Sequence, residues 1–222
     1  MSMPRLQSFR GLYVITDVVL KPGRSHLEIV QAALAGGARV IQLRDKEAAD
    51  ADLLEEARAI RQVTRAAGAL FLVNDRFELA RAVDADGVHL GQGDLPAREA
   101  RRRWPEAILG ISVDDERTAR QAEADGADYL GVGPIFATQT KGDAGPAIGL
   151  EQIGRIRAAS HLPIAAIGGI GLANIAAVGA AGAEMAAVIS AVVCAPDMDA
   201  ATRALAAEFA AGQARRQAEG AC

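Results

Sequence analysis

The chain has 222 residues, half of them hydrophobic and 23% charged, with a formal net charge of −4 and a pI near 5.5. This is enough chain for one large domain with a well-buried core. The absence of a basic tract argues against a nucleic-acid partner, and any anionic ligand must be held by local cations against a mildly acidic whole. Aromatic residues make up only 4%, so the core relies on Val, Ile, Leu and Ala, as parallel-sheet α/β proteins do. Cys194 and Cys222 form no disulfide framework and have no metal-site spacing, which fits a reducing compartment. The first residues, MSMPRLQSFRG, lack an apolar signal core. No apolar run approaches the ~20 residues needed to span a bilayer. The expectation is a cytoplasmic protein with no membrane partner.

Short apolar runs alternate with longer stretches of helical periodicity. The expected strands are Leu12–Thr16, Val40–Leu43, Leu70–Val73, Gly87–Leu90, Ile108–Val113, Tyr129–Ile135, Ile164–Ile167 and Met185–Val193. Amphipathic stretches at Asp50–Ala67, Asp114–Asp125, Leu150–Ala159 and Asp197–Ala211 read as helices. Alternation of this kind implies a parallel α/β sheet. Eight repeats at a pitch of roughly 25 residues favour closure into a (β/α)8 TIM barrel, typically ~250 residues. No Pro- or Ser-rich linker divides the chain, so residues 1–211 read as a single barrel domain and 212–222 as a fraying tail. A dinucleotide-binding sheet would need G-x-G-x-x-G after the first strand. None follows Leu12–Asp17, and Gly169-Ile-Gly171 has Asn174 in place of a third glycine.

Barrel active sites lie at the C-terminal ends of strands, so the residues after each run carry the functional expectations. Strand two leads through Gln42, Leu43, Arg44 and Asp45 to Lys46. Arg44 offers a bidentate fork for phosphate and Lys46 a point charge. Strand three ends Asn74-Asp75-Arg76. Asp75 suits a hard cation or a helix cap. Strand four ends His89-Leu-Gly91-Gln-Gly93-Asp94. Asp94 completes a pair of carboxylates on adjacent tips, a donor set suited to Mg²⁺, although it too sits where a helix cap would. His89 reads as a packed strand residue.

Ser112 after strand five reads as a positioning hydroxyl, because no nucleophile-elbow motif accompanies it. Strand six opens into Thr138, Gln139, Thr140 and Lys141, two hydroxyls and a cation suited to a phosphorylated substrate. Gly168 and Gly169 after strand seven, with Ile189 and Ser190 after strand eight, fall where barrels commonly bind phosphate. The constellation suits two phosphorylated groups at once, one with a metal and one without.

Several blocks in this order resemble the thiamine phosphate synthase family: Gly11-Leu-Tyr-Val-Ile-Thr-Asp17, Gln42-Leu-Arg-Asp-Lys46, Asn74-Asp75-Arg76, Gly87–Asp94, Gly131–Phe136 with Thr138-Gln-Thr-Lys141, and Gly168-Gly169-Ile170. The resemblance spans nearly the whole chain. It implies a (β/α)8 transferase that joins hydroxymethylpyrimidine diphosphate to a thiazole phosphate and releases diphosphate. It further implies that Gln42, Leu43, Arg44, Asp45, Lys46, Asn74, Ser112 and Lys141 bind the pyrimidine diphosphate, that Asp75 and Asp94 hold Mg²⁺, and that Thr138, Thr140, Gly169, Ile189 and Ser190 bind the thiazole phosphate, with Gln139 in the same substrate-binding stretch. Arg44, Lys46 and Lys141 are then the catalytic cations, stabilising charge on the leaving diphosphate. No protein nucleophile is required, in keeping with the lack of a Ser-His or Cys-His pair.

One departure concerns Asp114, where the family often has His. Thiazole tautomerases of the same fold use a His in that region, so their activity is not expected here, and a non-catalytic thiazole-phosphate binder is disfavoured by Asp75, Asp94 and Lys141. The segment 137–147 reads as a lid, and a homo-oligomer is compatible with the sequence.

Overall fold

The computed structural model describes residues 9–138, 140 and 145–219. Gln139 and Lys141, both expected in the site, lie outside the described residues, as do 142–144 of the expected lid. Eight parallel strands close into a barrel in sequence order: β1 (Gly11–Ile15), β2 (Val40–Leu43), β3 (Leu70–Asn74), β4 (Gly87–Leu90), β5 (Ile108–Val113), β6 (Tyr129–Val132), β7 (Ile164–Ile167) and β8 (Met185–Val188). Closure comes from pairing of β1 with β8, Tyr13 against Ala187. The (β/α)8 expectation therefore holds.

The helices are α1 (His26–Ala35), α2 (Asp50–Ala66), α3 (Phe77–Ala82), α4 (Ala97–Arg103), α5 (Glu116–Ala124), α6 (Glu151–Ala159), α7 (Ile175–Ala181), α8 (Ser190–Val193) and α9 (Met198–Glu219). None of the described helices is long and apolar enough to cross a membrane.

Local chemistry sets the helix starts. Ser25 and Glu28 form a reciprocal capping box at α1, and Asp115 with Thr118 does the same at α5; each such cap stabilises by about 1 kcal/mol. On α2 the buried residues Leu53, Ala57, Ile60 and Thr64 fall one turn apart and face the barrel.

The interior is filled by matching large residues to glycine. Tyr13 on β1 and Tyr129 on β6 come from non-adjacent strands, yet their hydroxyls meet at 3.0 Å, so both side chains point inward. A Cβ on Gly110 would lie 2.1 Å from the Tyr129 ring, and one on Gly131 would lie 2.8 Å from His89. Those two glycines make room for the aromatic rings. The opposite row, with Val14, Ile41, Leu43, Val73, Val88 and Leu130, is buried beneath the helices.

Several boundaries differ from the sequence reading, three of them by more than about two residues. β6 ends at Val132 because Pro134 has no N–H to continue the ladder; Ile135 and Phe136 still bond to Ile167 and Gly168. β8 ends at Val188, and Ser190–Val193 form a short helix instead of strand. The run is apolar but for Ser190, so its period cannot separate the two states; the Arg24 guanidinium takes the carbonyls of Val193 and Ala195. The expected fraying tail from residue 212 is corrected for 212–219, which continue α9. Gly212 lets α9 lie directly on α7, where a Cβ would come 2.0 Å from the Ala176 carbonyl, and Gln213 Nε2 donates to the Ala183 carbonyl at 3.0 Å.

Candidate active site

The C-terminal ends of the strands carry most of the expected residues. A cavity of about 520 Å³ is lined by Ser112, Asp114, Thr138, Thr140, Gly168, Gly169, Ile189 and Ser190, among others. A smaller cavity of about 180 Å³ is lined by Asp17, Val18, Val19, Leu20, Arg44, Asp45, Lys46, Glu47 and Thr140. Thr140 borders both, so the two cavities adjoin, and its Oγ1 lies 3.3 Å from Ser190 Oγ. Gly168 and Gly169 have φ of 98° and 63°, and a Cβ on Gly169 would come 2.6 Å from the Ala137 carbonyl. Glycine is required there by both conformation and space.

The residues after β2 divide by strand parity. Gln42 points into the barrel and donates to Tyr13 Oη. Leu43 faces the other way and is 1% exposed, so only its main chain is available to a ligand. The Asp45 carboxylate is committed to the protein: it accepts from Glu47 N and Ala48 N at 2.8 Å and meets His26 Nε2 at 3.1 Å. Burial would raise its pKa, but those backbone bonds and His26 hold it below the ordinary value.

Arg44 is different. Its Nη1 binds Asp17 Oδ2 at 2.5 Å, while Nε is buried with no partner among the described residues. An unpaired buried donor costs about 1–3 kcal/mol, a cost that an anionic ligand would remove.

Asp75 and Asp94, from the tips of β3 and β4, meet as a pair. Neither caps a helix: the N-cap positions of α3 and α4 are Arg76 and Pro96, without side-chain bonds. Asp94 Oδ2 instead accepts from Gly91 N at 2.7 Å, closing its own turn. Asp75 adopts a left-handed φ of 59°, uncommon for a residue with a side chain. Its carboxylate receives Lys46 Nζ and shares a hydrogen bond with Asp94.

Burial tends to raise both acids. For Asp75 the Lys46 and Asp94 hydrogen bonds outweigh burial, and its pKa falls. For Asp94 burial and the Asp75 charge prevail over the Gly91 bond, and its pKa rises. Two carboxyls this close offer hard oxygen donors to a cation, which would remove their repulsion. The donor set therefore fits Mg²⁺, with its remaining positions filled by water and substrate oxygens. No group of three His, Cys, Asp or Glu side chains able to hold a metal occurs among the described residues.

Below the cavities, a chain of hydrogen bonds joins five strands. It runs from Gln42 to Tyr13, Tyr129 and His89, whose Nδ1 lies 2.8 Å from Tyr129 Oη and whose Nε2 lies 3.0 Å from Ser112 Oγ. His89 thus packs inside the barrel, as expected, and Ser112 is positioned by it. Burial raises the pKa of both tyrosines, keeping them protonated. Asn74, 8% exposed, pairs in register with His89 and so points to the same interior. The sequence reading missed Asp17, His26, Tyr13 and Tyr129. The nearest signal was the block from Gly11 to Asp17, which carried no role of its own.

Fold and site together define a (β/α)8 barrel whose strand tips bring cations, paired carboxylates and glycine turns around adjoining cavities. A family model described as thiamine monophosphate synthase matches residues 12–192. The thiamine-phosphate synthase of Moorella thermoacetica is 58% identical over 195 residues, covering 87% of this chain and 93% of that protein. The thiamine-phosphate synthase of Chloroflexus aurantiacus is 52% identical over 205 residues, covering 92% and 94%. Among solved structures, a thiamine phosphate pyrophosphorylase from Pyrococcus furiosus superposes with a TM-score of 0.86 at 43% identity, covering 93% of this chain and 98% of that one. The chain belongs to the thiamine monophosphate synthase family.

Proposed function

We propose that this chain is a transferase that condenses 4-amino-2-methyl-5-hydroxymethylpyrimidine diphosphate with a thiazole phosphate, in its 4-methyl-5-(2-phosphoethyl) form or a carboxylated one, to give thiamine phosphate and diphosphate. Membership of the family supports the reaction. The observation that carries the reading in this molecule is the shared wall at Thr140, which makes neighbours of a cation-lined and a glycine-lined cavity. A two-substrate transfer needs that adjacency, because reacting atoms must be held about 3–3.5 Å apart.

On this reading Gln42 and Asn74 meet the pyrimidine ring. The Leu43 and Asp45 main chain, Arg44, Lys46, Ser112 and Lys141 hold its diphosphate. Thr138, Gln139, Thr140, Gly169, Ile189 and Ser190 take the thiazole phosphate.

As the bond between the pyrimidine methylene carbon and the diphosphate oxygen breaks, its electron pair leaves with the diphosphate. Arg44, Lys46 and Lys141 neutralise the charge that accumulates there; preorganised stabilisation of this kind is often the largest catalytic term. The thiazole nitrogen then donates its lone pair to the methylene carbon from the adjoining cavity, and no side chain forms a covalent bond. Mg²⁺, held by Asp75 and Asp94, supplies further neutralisation of the diphosphate when bound. A cytoplasmic setting belongs to the same reading.

The experiment is a diphosphate-release assay with both substrates, with and without Mg²⁺. Release should require both substrates and the cation. Release without any thiazole phosphate, or none with both substrates and Mg²⁺, refutes the reading.

A further inference from the structure

Asp17 lies just after β1, outside the ligand set proposed above, yet its side chain is only 7% exposed. A carboxylate so buried must be paired and hydrogen-bonded. Oδ1 accepts from the backbone N–H groups of Val19 and Leu20 at 3.1 and 3.2 Å, and Oδ2 receives Arg44 Nη1 at 2.5 Å. The backbone bonds fix the carboxylate, so it gives Arg44 a rigid anchor. Nη1 is thereby committed to the protein. The opposite edge of the guanidinium, Nε–H and the Nη2–H parallel to it, has no acceptor among the described residues. That edge is the fork that matches two oxygens of one phosphate.

The same neighbourhood holds the main chain. Thr16 Oγ1 accepts from Arg44 N at 3.1 Å and bonds His26 Nδ1 at 2.7 Å. His26 Nε2 reaches Asp45, and Arg76 donates to the carbonyls of Asp45 and Ala48. The segment from Arg44 to Ala48 is therefore held by Thr16 and His26 on one side and by Arg76 on the other. Within that clamp, only Asp17 meets the Arg44 guanidinium.

We propose that Asp17 is a positioning residue for the transfer reaction: it holds one nitrogen of Arg44 so that the free edge of the guanidinium is aligned on the departing diphosphate. The proposal rests on the reading that Arg44 contacts that diphosphate. Asp17 lowers the net positive charge at the site, so its role is alignment, not attraction. Removing its charge separates the two effects, because ground-state attraction for the anion rises while alignment in the transition state is lost.

The test is Asp17→Asn. Its Oδ1 can still accept from Val19 and Leu20, whereas its amide nitrogen cannot accept from Arg44. The expected result is a kcat lower by about 10- to 100-fold, inorganic diphosphate bound as tightly as in the parent or tighter, and an unchanged KM for thiazole phosphate. A merely structural role predicts weaker diphosphate binding together with a lower melting temperature, and that outcome overturns the proposal. So does a kcat within twofold of the parent.

Arg44→Gln is measured alone and combined with Asp17→Asn. If Asp17 acts through Arg44, the double variant matches Arg44→Gln alone; multiplying losses overturn the proposal. Unchanged kcat and diphosphate binding in Arg44→Gln alone would instead show that Arg44 does not meet the diphosphate, and the underlying reading falls first. Should Asp17→Asn fail to fold, Asp17→Ser serves in its place: its hydroxyl can accept from the same turn and leaves Arg44 unpaired.

Discussion

Replacing Asp94 by Asn separates the two roles its carboxylate can have. The substitution is nearly isosteric, and the amide oxygen can still accept the Gly91 N–H now bonded to Oδ2 at 2.7 Å, so the turn after β4 should persist. What disappears is negative charge beside Asp75. Asp94's pKa is raised, first by burial and then, against the Gly91 bond, by Asp75; the ionised form is therefore disfavoured in the folded protein. That burden is absent well below the ordinary carboxylate range, where Asp94 is protonated folded or unfolded, and fully present above the raised pKa.

Asp94→Asn should accordingly match the parent's stability at acid pH. Near neutrality it should equal or exceed it, by at most about 1 kcal/mol for a partly solvated pair, or roughly 2–4 °C in Tm for a chain of this size. Activity should move the other way. Loss of one preorganised electrostatic contact costs about 3 kcal/mol, a fall in turnover of 10²- to 10³-fold. Added Mg²⁺ should raise the parent's Tm and leave that of the variant unchanged. Turnover assays and thermal melts across pH, with and without Mg²⁺, check all three expectations. Full turnover in the variant, or an equal Mg²⁺-dependent shift in both proteins, would refute a metal role for Asp94.

Ser190→Glu places a negative charge 50 residues from Thr140 in sequence but beside it in space. It should weaken thiazole-phosphate binding far more than pyrimidine-diphosphate binding in separate titrations, and equal weakening would contradict the division of the two cavities. Gly131→Ala adds a Cβ 2.8 Å from His89; overpacking of this kind costs about 1–3 kcal/mol. It should lower the denaturation midpoint and, by pushing His89 off Ser112, lower turnover as well; a variant unchanged in both would show that the interior has slack at this point. Tyr129→Phe leaves Tyr13 Oη and His89 Nδ1 without their shared partner. It should destabilise by about 1–3 kcal/mol in chemical denaturation, and a loss below 0.5 kcal/mol would mean that the buried chain is not held through Tyr129.

The sequence by itself determined the alternation of strands and helices, and so the eight-stranded barrel. It did so because the hydrophobic period differs between the two kinds of element and each unit must bury one face. It also placed the ligand candidates, since in such a barrel any residue just after a strand stands at one mouth. Gln42, Arg44, Lys46, Asn74, Asp75, Asp94, Ser112, Thr140, Gly169 and Ser190 were all named as candidates from that rule and from the family resemblance. Ends within largely apolar runs were not: residues 190–193 form a helix, and Arg24, far away in sequence, bonds the carbonyls of Val193 and Ala195 at its end.

Only the tertiary structure decided which side chains are spent on one another. Asp45 looked like a ligand and is bound to His26 and its own turn, whereas Asp17, given no role in the sequence, grips Arg44. Asp94 stood where a cap would stand and instead closes its own turn on Gly91 N beside Asp75. The interior chain from Gln42 to Ser112 exists because glycines on β5 and β6 leave room for the rings of Tyr129 and His89. Periodicity in one dimension records which face a residue takes. Hydrogen bonds between strands 27 or 40 residues apart are fixed by the register of barrel closure, and no local pattern contains that register.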